Sequence, residues 1–177
     1  MEGQKKIRAG LISVLIFLLA FLWIVAGIPA YLLDGGDSLL CAATYQFYHG
    51  NVAHLAGNML VLWLLLARPK RLTVCKACSD LVLSYFLSVL VYPLAVMPIV
   101  GMSNMIYAMC GLRTPPLSDP IWRRWPALLF LGVTAAMLAV PGVSATTHLA
   151  AFALGALCAG LRRFWNRLTD EARRYYR

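Results

Sequence analysis

The chain has 177 residues, of which 61% are hydrophobic and 13% charged. Soluble domains average roughly 45–50% apolar and 25% charged residues, so this composition excludes an ordinary soluble fold. The net charge of +9 does not point to nucleic acid either, because all sixteen Lys and Arg residues fall in four places separated by loops with none, the positive-inside pattern that sets membrane topology.

In chain order, Lys5, Lys6 and Arg8 precede the apolar run Leu11–Leu33. That run is longer than the roughly 7–15 residues of a signal-peptide core, so it is read as a retained first helix leaving the inner side. Asp34-Gly-Gly-Asp-Ser38 is a turn cluster, and the stretch to Tyr48 is the first outside loop. Residues 50–67 predict the second helix, closed by Arg68-Pro69-Lys70-Arg71. Cys75-Lys-Ala-Cys78 falls in an inside loop. A lone C-x-x-C lacks the second ligand pair that zinc requires, and the other cysteines (Cys41, Cys110, Cys158) sit in or near apolar segments as small hydrophobes. Residues 81–98 predict the third helix, going out, and an extended connection leads to Gly101.

The fourth helix, 103–114, is the unusual one. Its twelve residues rise about 18 Å, against a hydrocarbon core of about 30 Å. Residues 125–140 predict the fifth helix, after Arg123-Arg124, and residues 145–161 the sixth, which ends at Arg162-Arg163. The tail, 162–177, mixes six arginines with Trp165, Tyr175 and Tyr176. It reads either as an interfacial segment on an anionic inner leaflet or as a frayed solvated end. The expectation is a single membrane domain, 1–177: an all-α, six-transmembrane-helix bundle with a short fourth helix and both termini cytoplasmic. Small residues Ala151, Gly155 and Ala159 on the sixth helix, with Gly111 on the fourth, permit close packing of that pair.

Polar side chains at membrane depth carry function by default. Counting about 1.5 Å per residue from the inner boundary, Ser103 lies about 12 Å below the outer surface, His148 and His54 about 9 Å, and Asn58 about 15 Å. One polar layer therefore draws on three helices. His54 and Asn58 are i and i+4, as are Ser103 and Tyr107, so each pair shares a helix face. Tyr107 is then placed to pack against an imidazole. Non-helical backbone at 98–102 requires a cavity, and hydrolysis requires its water. Serine and histidine at matching depth suggest nucleophile and general base. The acids (Glu2, Asp34, Asp37, Asp80, Asp119, Asp170, Glu171) are all assigned to loops or chain ends, which leaves a Ser–His dyad. Oxyanion donors at that depth are the Ser103 amide and the side chains of His54 and Asn58. No H-E-x-x-H occurs, which disfavours a metalloprotease. A histidine-lined zinc or proton transporter competes, and it leaves Ser103 without a role.

Three blocks together resemble the rhomboid family of intramembrane serine proteases. His49-Gly-Asn-Val-Ala-His54-Leu-Ala-Gly-Asn58 is similar to the family's second-helix pattern of two histidines and an asparagine. Gly101-Met-Ser103-Asn104, with Tyr107 and Gly111, is similar to its G-x-S-G block. His148-Leu-Ala-Ala-Phe-Ala-Leu-Gly155 is similar to its sixth-helix block. The resemblance implies Ser103 as nucleophile and His148 as base and later acid. It implies an oxyanion hole of His54, Asn58 and the Ser103 amide, Tyr107 stacked on His148, and His49 as a structural residue. It further implies transmembrane protein substrates within the lipid bilayer, entry beside the fifth helix, the backbone of 98–101 pairing with the unwound peptide, and no cofactor, metal or nucleic acid. The absence of any targeting segment beyond the first helix fits a bacterial inner membrane, with the site opening to the periplasmic or extracellular side. The sequence departs from the family pattern at Asn104, where glycine is usual, and at Ala151, the first of two usual glycines. It also has no Trp-Arg pair in the first outside loop. The alternative within the family is a catalytically impaired protein that binds membrane clients.

Overall fold

A computed structural model describes residues 39–67, 73–96, 98–116 and 144–175, with isolated positions elsewhere. The first and fifth expected helices, 11–33 and 125–140, lie outside the described residues apart from such isolated positions. The continuous helices are α1 (Leu39–Thr44), α2 (Val52–Ala67), α3 (Val74–Val91), α4 (Ser103–Leu112) and α5 (Ala145–Tyr175). Single 3-10 turns, Tyr45–Phe47 and Tyr92–Leu94, follow α1 and α3. There is no strand among the described residues.

The short helix is central among the described residues. Every residue of α4 from Asn104 to Gly111 is buried, so it has no outward face, as expected of a helix apolar all round. Its neighbours present stripes to it. On α2 these are Leu55, Met59, Leu62 and Leu66, spaced by three and four. On α3 they are Ala77, Leu87 and Val91, and on α5 Ala151 and Phe152. The tightest crossing is α4 on α5. A Cβ placed on Gly155 would fall on the Ala108 carbonyl oxygen, and one on Gly111 would fall on that of Phe152. Backbone meets backbone there, which is what small residues allow where no hydrophobic effect drives helices together.

Helix α3 begins at Val74, not at 81. Thr73 is its N-cap, with Oγ1 accepting from the Lys76 amide at 3.2 Å, so an orphan donor of the first turn is satisfied. Pro93 sits in the 3-10 turn that follows its end. Cys75 and Cys78 therefore lie on the exposed first turns of a helix instead of in a loop. Asp80 is likewise inside α3 and only 2% exposed, which corrects its assignment to a loop. Val74–Leu94 is long and apolar enough to cross a membrane. Leu39–Phe47 and Val52–Leu66 pass the same test only as a pair, bent by 85°.

Helix α5 continues without a break through Arg162-Arg163 to Tyr175. The tail to that point is therefore helical, not frayed. Two side chains show why the arginines do not end the helix. Arg163 donates to the Thr114 carbonyl at 3.0 Å, and Arg162 reaches Asp80 at 3.6 Å. One meets the backbone just beyond the end of α4 and the other a side chain of α3. Beyond them Phe164, Trp165 and Leu168 are exposed.

Candidate active site

Ser103 is the first residue of α4, and His148 lies in the first turn of α5, where its amide donates to the Ser144 carbonyl at 3.3 Å. The two helix starts converge. His148 Nε2 is 2.8 Å from Ser103 Oγ, the separation at which an imidazole can take a hydroxyl proton. Tyr107, one turn beyond Ser103, stacks on the His148 ring with centroids 4.6 Å apart and planes 16° apart. Phe130 meets the same tyrosine edge-on at 5.4 Å. The imidazole is thus fixed by a ring face and a hydroxyl. Among the described residues its Nδ1 has no hydrogen-bond partner, so no described carboxylate completes a triad.

The second layer comes from the start of α2. Asn51 Oδ1 accepts from the His54 amide at 2.8 Å, an asparagine cap that fixes where the helix begins. His54 and Asn58 then face the backbone just before Ser103. Gly101 has φ +104°, a left-handed conformation that favours glycine. A Cβ there would sit 2.6 Å from His54 Cε1, 2.9 Å from His54 Nε2 and 3.4 Å from Asn58 Nδ2. Glycine is required twice over, by conformation and by the approach of these side chains. Asn58 Nδ2 is buried with no partner among the described residues. Met102, the N-cap of α4, gives no side-chain cap, so the first-turn amides of Ser103 and its neighbours are also uncapped donors. His49 is buried behind this layer, its ring edge-on to His54 at 5.2 Å.

Asn104 neither narrows this space nor aims a donor into it. It is buried, and Nδ2 donates to the Tyr45 hydroxyl at 3.1 Å. That hydroxyl donates in turn to the Ser88 carbonyl at 3.1 Å. The carbonyl of Tyr45 accepts from the Gly101 amide at 3.0 Å. One tyrosine therefore holds the backbone on both sides of Met102 and Ser103 and ties it to α3. Nothing in the local sequence of Tyr45 marks this, since its partners lie 43 to 59 residues away. Tyr45→Phe would leave the Asn104 amide buried and unpaired, at an expected cost of about 1–3 kcal/mol. Denaturant titration in mild detergent measures it. The same substitution in an Asn104→Ala background should cost clearly less, because the orphaned group is gone.

Ser103, His148, Tyr107, His54, Asn58, Gly101 and His49 thus form one contiguous group, and Asn104 stands behind it. Asn51, Tyr45 and Ser144 are additional positioning residues. Asn51 carried a readable signal, an N-cap asparagine ahead of an apolar helical run. Among the described residues no group of three or more His, Cys, Asp or Glu side chains is placed to hold a metal ion. No curated protein and no solved structure matches the chain significantly. A family model, described as Rhomboid domain, matches residues 37–163, more than two thirds of the chain.

Proposed function

The chain belongs to the rhomboid family, and from that premise we propose that it is an intramembrane serine endopeptidase that cleaves transmembrane segments with a Ser103–His148 dyad. The observation that carries the reading is the 2.8 Å contact between Ser103 Oγ and His148 Nε2, set beside the Asn58 amide, which has no partner among the described residues. As Oγ attacks the scissile carbonyl carbon, its proton passes to Nε2. The oxyanion that forms takes hydrogen bonds from the Ser103 amide, Asn58 Nδ2 and His54. Collapse breaks the C–N bond, and His148 returns its proton to the leaving amine. A water then attacks the acyl-serine, giving its proton to Nε2, and Ser103 recovers a proton as the acid product leaves. The stacked Tyr107 holds the ring in plane through both proton transfers.

The substrates in this reading are membrane proteins whose spanning helix unwinds at the backbone of 98–101. The chain has six spans with both termini on the cytoplasmic side, and the site opens to the opposite face of a bacterial inner membrane. The full chain, reconstituted in vesicles with single-span substrates, should release a fragment whose mass places the cut near the outer end of the span. Absence of cleavage across a substrate panel, together with absence of Ser103-dependent fluorophosphonate labelling, would overturn the proposal. Asn58→Ala should lower kcat about 10²–10³-fold while KM moves little, since the oxyanion bond exists only in the transition state. An unchanged kcat would remove Asn58 from the site.

A further inference from the structure

At the end of α4 opposite Ser103, one buried carboxylate gathers cations from three helices. Asp80 Oδ2 accepts from Arg113 Nε at 3.3 Å and from Arg113 Nη2 at 3.2 Å. Asp80 Oδ1 accepts from Lys76 Nζ at 3.2 Å, with Arg162 Nη1 at 3.6 Å. Arg113 is the residue that ends α4, and its Nη1 also donates to the Leu65 carbonyl of α2. The three helices tied to Asp80 or to Arg113 from outside α3 (α2, α4 and α5) are the ones that carry the site. Leu65 follows His54 and Asn58 on α2, Arg113 follows Ser103 on α4, and Arg162 follows His148 on α5. Asp80 contributes nothing to the site itself and lies on the helix that supplies none of its side chains.

We propose that Asp80 is a positioning residue that sets the axial register of α4 against α2 and α5, and through it the Ser103–His148 contact. The physical case rests on rigidity and on charge. Helix α4 is a ten-residue rod, about 15 Å long, so a shift at Arg113 is delivered to Ser103 with little loss. The rod is apolar on every side, and apolar contacts hold it against sliding less specifically than directional bonds do. At the Ser103 end Tyr45 fixes Gly101 and Asn104. At the opposite end, among the described residues, Arg113 ties α4 to α3 through Asp80 and to α2 through the Leu65 carbonyl, and Arg163 of α5 holds the Thr114 carbonyl just beyond it. Arg113 stays in place because a partly buried guanidinium needs its counter-charge. The role for Ser103 rests on the protease reading above.

Lys76 and Arg162 provide an internal comparison. Both are half exposed and both touch Asp80. Lys76 lies on the same helix as Asp80 and joins nothing to it, whereas Arg162 joins α5. Lys76→Gln and Arg162→Gln thus remove the same charge from the same carboxylate, but only the second cuts a tie between helices. Asp80→Asn removes the charge and one of the two acceptor oxygens, and so weakens all of them.

The test uses the full chain in mild detergent with two readouts. The first is the rate of Ser103 labelling by a fluorophosphonate. It should fall about 10–100-fold in Asp80→Asn, the range expected for a small misplacement of reacting groups, fall less in Arg162→Gln, and hold in Lys76→Gln. The second needs no activity. The chain has three histidines, so 15N-histidine spectra are simple, and His148 is assigned by its loss in His148→Ala. Its Nε2 resonance should move in Asp80→Asn and Arg162→Gln in the direction that Ser103→Ala moves it, and stay put in Lys76→Gln. If Asp80→Asn fails to fold, the Arg162→Gln and Lys76→Gln pair decides the matter. Wild-type positions of the His148 resonance in the Asp80 and Arg162 variants would overturn the inference, as would equal effects of Lys76→Gln and Arg162→Gln. A wild-type chain that does not label would count against the protease reading alone, because the His148 resonance still tests the register.

Discussion

Ser103→Ala and His148→Ala should each lower the rate of substrate cleavage at least about 10³-fold, and the double substitution should be no worse than either alone. The second half of this expectation is the more demanding. A serine whose proton has nowhere to go is as inert as no serine, and an imidazole that has lost the hydroxyl 2.8 Å from its Nε2 has no proton to receive. Residues that act as one unit therefore lose their whole contribution at the first substitution. His54→Ala and Asn58→Ala are different, because they weaken stabilisation of the oxyanion and leave the proton transfer intact. Each should lose less than the dyad variants, and each should add to the other's loss. Cleavage in proteoliposomes, measured as kcat across the four single variants and the two double variants, separates the two patterns. If the losses for Ser103→Ala and His148→Ala multiply in the double variant, the two side chains are not acting together.

The site was legible in the sequence for a simple reason. In a chain that is 61% hydrophobic, polar residues within apolar stretches are few, and a fixed rise per residue converts their positions into depth. Ser103, His148, His54 and Asn58 could be set in one layer without knowing how any helix packs. Close packing of α4 and α5, the expected fourth and sixth helices, was legible from small residues for the same reason, since Gly111 and Gly155 leave room that larger residues would fill. The end of α4 opposite Ser103 was not legible. Counting apolar residues starts a span after its last charge, so Lys76 and Asp80 pushed the predicted start of the third helix to 81 although Thr73 offered a cap. Whether a charge ends a helix or is buried in it depends on partners. Those of Asp80 are Arg113, 33 residues on, and Arg162. The partner of Asn104 is 59 residues back. Such pairings are decided by tertiary contact, and no local pattern announces them. The same holds for α5, which continues past two arginines because both are occupied on neighbouring helices.

The glycines allow a comparison in which the same methyl group is added to the same helix with opposite results. Gly155 and Gly160 both lie within α5. Among the described residues a Cβ on Gly160 meets nothing within 4 Å, whereas one on Gly155 meets the backbone of α4 at Ala108 and, at 3.0 Å, Leu112 N. Gly160→Ala should therefore be neutral or stabilising by up to about 1 kcal/mol, the helix propensity of alanine over glycine. Gly57→Ala on α2 is open in the same way and should behave alike. Gly155→Ala gains the same propensity but has no flexible side chain to push aside. The helices must separate, and the expected net loss is about 1–3 kcal/mol or more. Gly111→Ala, opposed by Phe152 and Ala156 backbone atoms, should lose as much. Denaturant titration of the four variants in one detergent measures the contrast. The consequence reaches the chemistry, since α4 has packing neighbours on every side and cannot retreat from α5 without carrying Ser103 away from His148. Activity in Gly155→Ala and Gly111→Ala should fall even where the protein remains folded, and it should not fall in Gly160→Ala. If Gly155→Ala were as stable and as active as Gly160→Ala, α4 and α5 would not cross backbone to backbone, and the contact between Ser103 and His148 would need another origin.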